Sequence, residues 1–360
     1  MKYTGTPDYQ HGSEPRIGVL LVNLGTPEEP SPRAVRRYLA EFLWDPRVIE
    51  LPRPLWWLIL HLIILRVRPK KSAHAYQKIW TPEGSPLLIE SKAVADGLQA
   101  RLGDRVRVAL GMTYGRPSIT DVLEQFRRDN VQRLLVLPMY PQYSATTAGS
   151  IFDRVTRQLA TWRWLPELRI VNQYWQEDAY IAALADSIEA HWQQHGRKHL
   201  LFSFHSIPKR YFLAGDPYHC FCHATARLVA ERLQLGQDDW SLGFQSRFGR
   251  EEWLKPYVDL LLLDYARQGP KQVTLVCPGF ATDCLETLEE IDMQNRTAFL
   301  EAGGEAFDYV PCLNSSDAQL SLYEQLVLKH AQGWPELTGG TDAAGLAKSR
   351  ERALALGAPR

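Results

Sequence analysis

The sequence is poor in the features that most quickly assign a function. Lys plus Arg and Asp plus Glu both total 41, so no net charge draws the chain toward nucleic acid. No apolar run approaches the roughly 18 to 20 residues that cross a bilayer. There is no G-x-G-x-x-G and no Walker pattern, which leaves a dinucleotide or nucleotide reading weak. The five cysteines, Cys220, Cys222, Cys277, Cys284 and Cys312, are odd in number and contain no C-x-x-C. With the polar N-terminal stretch 1–15, they lead us to expect reduced thiols in a cytoplasm rather than a secreted disulfide framework.

What remains is a globular composition, 45% hydrophobic and 23% charged over 360 residues, enough for two domains. Apolar runs at 17–23, 105–112, 132–138 and 168–172 lack strict alternation, as buried parallel strands do when both faces are covered. Helical patterns separate them at 31–43, 87–102, 117–129 and 148–163. A second series follows, with strands at 199–204, 241–245, 272–277 and 306–310 and helices at 177–195, 218–234, 254–268 and 284–301. The expected fold is α/β: two Rossmann-like domains, each with a four-stranded parallel sheet flanked by helices. We place the first at 16–175 and the second at 176–332, after a loose tail 1–15 and before a loose or helical tail 333–360.

The segment 51–71, LPRPLWWLILHLIILRVRPKK, is too short to span. It reads equally as a buried helix or as a lip in a membrane interface, with Trp56 and Trp57 at one end and Arg66, Arg68, Lys70 and Lys71 at the other.

In open parallel sheets ligands bind beyond the carboxyl ends of the strands. That rule selects the loops 24–27, 113–117, 139–147, 205–208, 246–250 and 278–286. His205 ends the strand HLLFSF and is placed either for ligand contact or as a structural histidine. In CPGFATDCLETLEEID (277–292), Asp283, Glu286 and Glu290 are spaced to share one helical face. Asp283 as N-cap and Glu286 three residues on also fit a capping box, which leaves Glu290 unexplained. His219, Cys220, Cys222 and His223 form a short cluster of metal-ligating types, though C-x-C is not the usual zinc or iron–sulfur spacing.

Six segments, VNLGTP (22–27), YPQYSATT (140–147), FSFHSIP (202–208), GDPY (215–218), FQSRFG (244–249) and PGFATDCLETLEEID (278–292), resemble the ferrochelatase family in its own order. The resemblance covers about residues 16–330 and implies Fe²⁺ insertion into protoporphyrin IX to give protohaem, with two protons released, as the last step of haem biosynthesis. It implies His205 and Glu286 as catalytic residues and Fe²⁺ ligands, with Asp283 and Glu290 in an acidic line behind them. Leu24, Tyr76, Tyr143, Ser144, Ser246, Trp253 and Phe280 then line the porphyrin pocket, and Arg68 and Ser85 meet its propionates. It also implies that 51–67 is the pocket lip, resting on the inner face of the cytoplasmic membrane, and that the protein is a monomer without a nucleic-acid partner. No cofactor beyond substrate Fe²⁺ is required. The tail after 333 has no cysteine, so a [2Fe–2S] cluster would need the internal five. Cys284 stands where some relatives have histidine, and Thr113 where some have arginine. Rival readings are coproporphyrin III as substrate, a cobalt or nickel chelatase for another tetrapyrrole, and a non-catalytic porphyrin or haem carrier.

Overall fold

The computed structural model describes all residues except 1–2, 7–8, 105, 250, 339–341 and 360. Eight strands form two parallel sheets: β1 (Arg16–Asn23), β2 (Val106–Met112), β3 (Val131–Pro138) and β4 (Glu167–Ile170), then β5 (His199–His205), β6 (Trp240–Gln245), β7 (Gln272–Val276) and β8 (Ala306–Val310). Their orders, β2-β1-β3-β4 and β6-β5-β7-β8, are the same pattern repeated. Each order reverses between its first and third strand. The loops after β1 and β3, and after β5 and β7, therefore flank the two crevices where such sheets bind ligands.

The apolar runs owe their continuity to cover on both faces. Ile17, Val19 and Leu21 of β1 belong to one apolar cluster, whereas Leu20 and Val22 point into another, the period-2 alternation of a strand. Phe202 and Phe204 of β5 join the first of these clusters, and Leu201 faces a third. One core thus runs between the two sheets.

Two helical regions exceed the sequence expectation. Residues 53–79 are helical throughout, with a π-helical turn at Leu60–Ile64. Trp56 and Leu60 are buried, yet Leu55, Trp57, Leu58, Leu62, Ile63 and Val67 are 47–69% exposed. The helix Asp317–His330 packs across the helix Pro86–Leu102 of the first series, where Arg101 meets Asp317 and Glu324. The tail carries a helix at Ala343–Ala355. Among the described residues, no helix is long and apolar enough to cross a membrane.

Candidate functional site

His205 is the last residue of β5 and is only partly buried. Its Nδ1 lies 2.6 Å from the Ser206 carbonyl oxygen. A carbonyl can only accept, so Nδ1 carries the proton and donates it. The neutral ring then keeps its lone pair on Nε2, the atom available to take a proton or a metal ion.

The loop after β7 leads into Leu285–Asn295, whose eleven residues are π-helical. The capping expectation needs correction here. The N-cap is Cys284, and its boxed partner is Thr287; Asp283 lies before the helix and Glu286 is not the capping acid. The cause is the wider turn, since i,i+3 reasoning assumes α geometry and an i→i+5 helix re-phases its faces. Glu286 and Glu290, four apart, remain neighbours, and neither is spent on the cap.

Glu290 is held from the residue just past the end of β6. Its Oε1 accepts from the Ser246 N–H at 2.8 Å and its Oε2 from the Ser246 hydroxyl at 2.5 Å. Ser246 presents both donors by adopting φ +65°, a left-handed conformation rare for a serine. Burial raises the Glu290 pKa, the Ser246 hydroxyl and the positive charge His205 can carry pull it down, and Glu286 pushes it up. His205 and Glu286 thus both lie within electrostatic reach of Glu290 and act on its proton affinity in opposite senses. Gln245, not singled out in the sequence, ties this together. Its amide donates to the Glu286 carbonyl at 3.0 Å and accepts from Ser203 at 2.6 Å. Its sequence signals were its place beside Ser246 at a strand's end and its membership of the FQSRFG segment (244–249).

Asp283 sits in a different setting. Its carboxylate accepts from Tyr309 at 2.5 Å, Thr287 at 3.0 Å and Asn314 at 2.7 Å. Its N–H donates to Asn314 Oδ1 at 2.8 Å. These bonds pin the start of the helix that bears Glu286 and Glu290.

Buried phenols also lie within electrostatic reach of Glu286. Tyr76 lies within hydrogen-bond reach of Thr26 and Tyr38, and Thr26 donates to Ser85 at 2.9 Å. Burial, with added repulsion from Glu286, raises the pKa of Tyr38, Tyr76 and Tyr140. The same two causes raise the Cys284 thiol, so these groups stay neutral beside the carboxylate. The helix Leu65–Ile79 also reaches this region through Lys78, paired with the buried Glu289 at 2.7 Å.

Arg68 stacks over Phe248, 4.5 Å from the ring centroid. Burial lowers its pKa, and no carboxylate partners it among the described residues. A desolvated, unpaired guanidinium is a natural seat for an anionic ligand group. Trp253 donates from its indole to the Phe248 carbonyl at 2.7 Å, which fixes the loop beneath. Thr113 is buried and bonds the Asn23 carbonyl.

Contacts between distant loops bring the site together. Asn23 donates to Ser91 at 3.0 Å and to Thr282 at 3.1 Å. Asp216 accepts from the Ser144 hydroxyl at 2.9 Å and the Ala145 N–H at 2.8 Å, so GDPY clamps YPQYSATT. Leu24 packs with the apolar cluster under the lip, and Tyr114 donates its N–H to the Leu24 carbonyl at 2.9 Å. Gly25 (φ +109°) allows this approach, since a Cβ there would sit 1.7 Å from the Tyr114 carbonyl oxygen. Tyr143 lies beside Gly149, and Phe280 packs between the two apolar clusters that flank the second sheet. Of the five thiols, Cys277 and Cys284 lie within electrostatic reach of Cys312. Cys220 is exposed while Cys222, two residues on, is buried. Among the described residues, no three His, Cys, Asp or Glu side chains are grouped to hold a metal ion.

A sequence model described as Ferrochelatase matches residues 16–331. The chain belongs to the ferrochelatase family. It is 56% identical to the ferrochelatase of Nitrosococcus oceani over 366 aligned positions, covering 99% of this chain and 100% of that one. It is 52% identical to that of Thioalkalivibrio sulfidiphilus, with 99% and 100% covered. Among solved structures, the sirohydrochlorin chelatase SirB of Bacillus subtilis subspecies spizizenii, in complex with cobalt, superposes with a TM-score of 0.55 at 10% identity, covering 89% of this chain and 97% of that one. At that identity the likeness shows the fold: a chelatase-type pair of α/β units. As a ferrochelatase the chain is an enzyme, a metal-inserting lyase, which sets the carrier reading aside.

Proposed function

We propose that this enzyme inserts Fe²⁺ into protoporphyrin IX and releases two protons, the closing step of haem formation. The observation that carries the reading is the Nδ1–H tautomer of His205 beside two carboxylates at a strand-end crevice. Its free Nε2 lone pair suits a pyrrole proton or the incoming ion. Removing two N–H protons from the macrocycle needs an acceptor with a lone pair near neutral pH, which a neutral imidazole supplies. Glu286 meets the hydrated cation. Glu290, whose proton affinity depends on the charge of both neighbours, takes up the proton that His205 passes on. Asp283 anchors the helix that presents them.

The porphyrin seat is drawn from Leu24, Tyr76, Tyr143, Ser144, Ser246, Trp253 and Phe280, with Arg68 receiving a propionate and Ser85 bracing Thr26 behind it. Apolar walls of this kind hold the macrocycle, and binding energy spent there supports distortion of the ring toward the metal. The exposed apolar face of residues 55–67 suits a monomer docked at a membrane interface, with Arg66, Lys70 and Lys71 beside it. Fe²⁺ and protoporphyrin IX mixed anaerobically with the enzyme should lose porphyrin fluorescence catalytically. Turnover with coproporphyrin III but not with protoporphyrin IX would contradict the substrate assignment.

A further inference from the structure

One motif from the sequence is left unused by this chemistry: His219-Cys220-Phe221-Cys222-His223, in the first two turns of the helix Tyr218–Arg232. Residues four apart lie over one another on a helix, and here the two imidazole rings meet with centroids 4.4 Å apart. Phe212 backs His219 at 4.7 Å, and Phe244 backs His219 and His223 at 5.9 and 6.1 Å. The rings are thus held from the protein side, while His223 is exposed and His219 partly so. Neither ring has a hydrogen-bond or ion-pair partner among the described residues. The cation one turn on, Arg227, is taken by Glu231 at 2.6 Å.

A second pair with the same spacing is a useful contrast. His191 and His195 also stand 4.4 Å apart, and Asp308 lies 4.0 Å from His191. There the carboxylate is already paired with Lys198, whose ammonium would repel a metal ion.

We propose that His219 and His223 form a two-imidazole chelate for a late first-row divalent cation such as Co²⁺, Ni²⁺ or Zn²⁺, outside the catalytic cleft, with water completing the coordination. Imidazole is a preferred ligand for these ions, and affinity rises along the series toward copper. Burial lowers the pKa of both rings, and for His223 its neighbour His219 adds to this, so their lone pairs are free at neutral pH. Cys222 is buried away from the pair, and the two rings suffice without Cys220.

The test is equilibrium dialysis of Co²⁺, and separately Ni²⁺, against the full-length, porphyrin-free enzyme. His219→Ala/His223→Ala should bind one ion fewer per chain than wild type and keep wild-type Fe²⁺ insertion. The single variant His223→Gln, at an exposed position, should weaken the same site by about tenfold or more. Cys220→Ser should bind as wild type does. An unchanged count in the double variant would overturn the proposal. So would loss of the ion in Cys220→Ser, or loss only in His191→Ala/His195→Ala.

Discussion

Asp283→Asn separates the two roles that a carboxylate at this position can have. In the structure one oxygen accepts from Tyr309 and Thr287 and the other from Asn314. An amide can keep only one of these acceptors. If its oxygen faces Tyr309 and Thr287, its NH₂ meets the Asn314 amide, donor to donor. Asn314 cannot turn to relieve this, because its oxygen already accepts from the residue-283 N–H. If the new amide oxygen turns instead to accept from Asn314, the Tyr309 and Thr287 hydroxyls lose the acceptor they now donate to and must turn to weaker ones. The unmet buried donors cost about 1–3 kcal/mol. Two charge-assisted bonds also become neutral ones, at about half the strength, for roughly 1–2 kcal/mol more. The expected loss is about 2–5 kcal/mol, a large share of the roughly 5–15 kcal/mol a typical fold has to spare. Urea unfolding of wild type and variant measures it, with Fe²⁺ insertion per folded molecule assayed in parallel. If Asp283→Asn unfolds as wild type does and loses only turnover, the anchoring account is wrong and the residue passes protons directly.

Three further outcomes follow from the same contacts. Glu290 has its pKa raised in the fold, chiefly by burial, so the folded state binds more protons than the unfolded one. Its contribution to stability is therefore full below the ordinary glutamate range and lost as pH rises through the raised pKa. Glu290→Gln should flatten that slope in a thermal-unfolding series and match or exceed wild-type Tm at pH 8, while turnover falls at least tenfold; a lower Tm at pH 8 contradicts this. Ser246→Ala removes one of the two bonds on Glu290 and should move the acid limb of the kcat/KM profile to higher pH, whereas an unmoved limb means Glu290 takes no proton in turnover. Leu62→Ser/Ile63→Ser, on the exposed face, forfeits about 1 kcal/mol per half-exposed side chain, so vesicle partitioning should drop roughly thirtyfold; equal partitioning removes the lip from membrane contact.

The inner strands were legible because they are covered on both faces and read as apolar runs, as β1 does with Leu20 and Val22 turned from Val19 and Leu21, whereas the edge strand β4, Glu167–Ile170, has no buried residue and shows only a short mixed run. The carboxyl-end rule then located His205 and the 278–286 loop. The local form around Glu286 was not legible: a π-helix and an α-helix share the same apolar and acidic letters, so the cap fell on Asp283 instead of Cys284. The helix Asp317–His330 escaped as well. Its buried residues, Gln319, Leu322, Tyr323, Leu326 and Val327, include a glutamine that bonds the Ala281 and Asn314 carbonyls, a role no periodicity reveals. Gln245 and Asp216 act on partners 41 and 71–72 residues away, a distance that spacing rules do not reach. The ordered segments that resemble the family supplied the expected roles, and the structure supplies the bonds around them.

The central claim, that the His205 Nε2 lone pair does the work of metallation, is tested most directly with His205→Ala. Anaerobic Fe²⁺ and protoporphyrin IX are supplied at saturation, and porphyrin affinity is measured separately by fluorescence. The account predicts that metal insertion is abolished while porphyrin binding stays within a few-fold of wild type. Near-normal turnover in His205→Ala would contradict it.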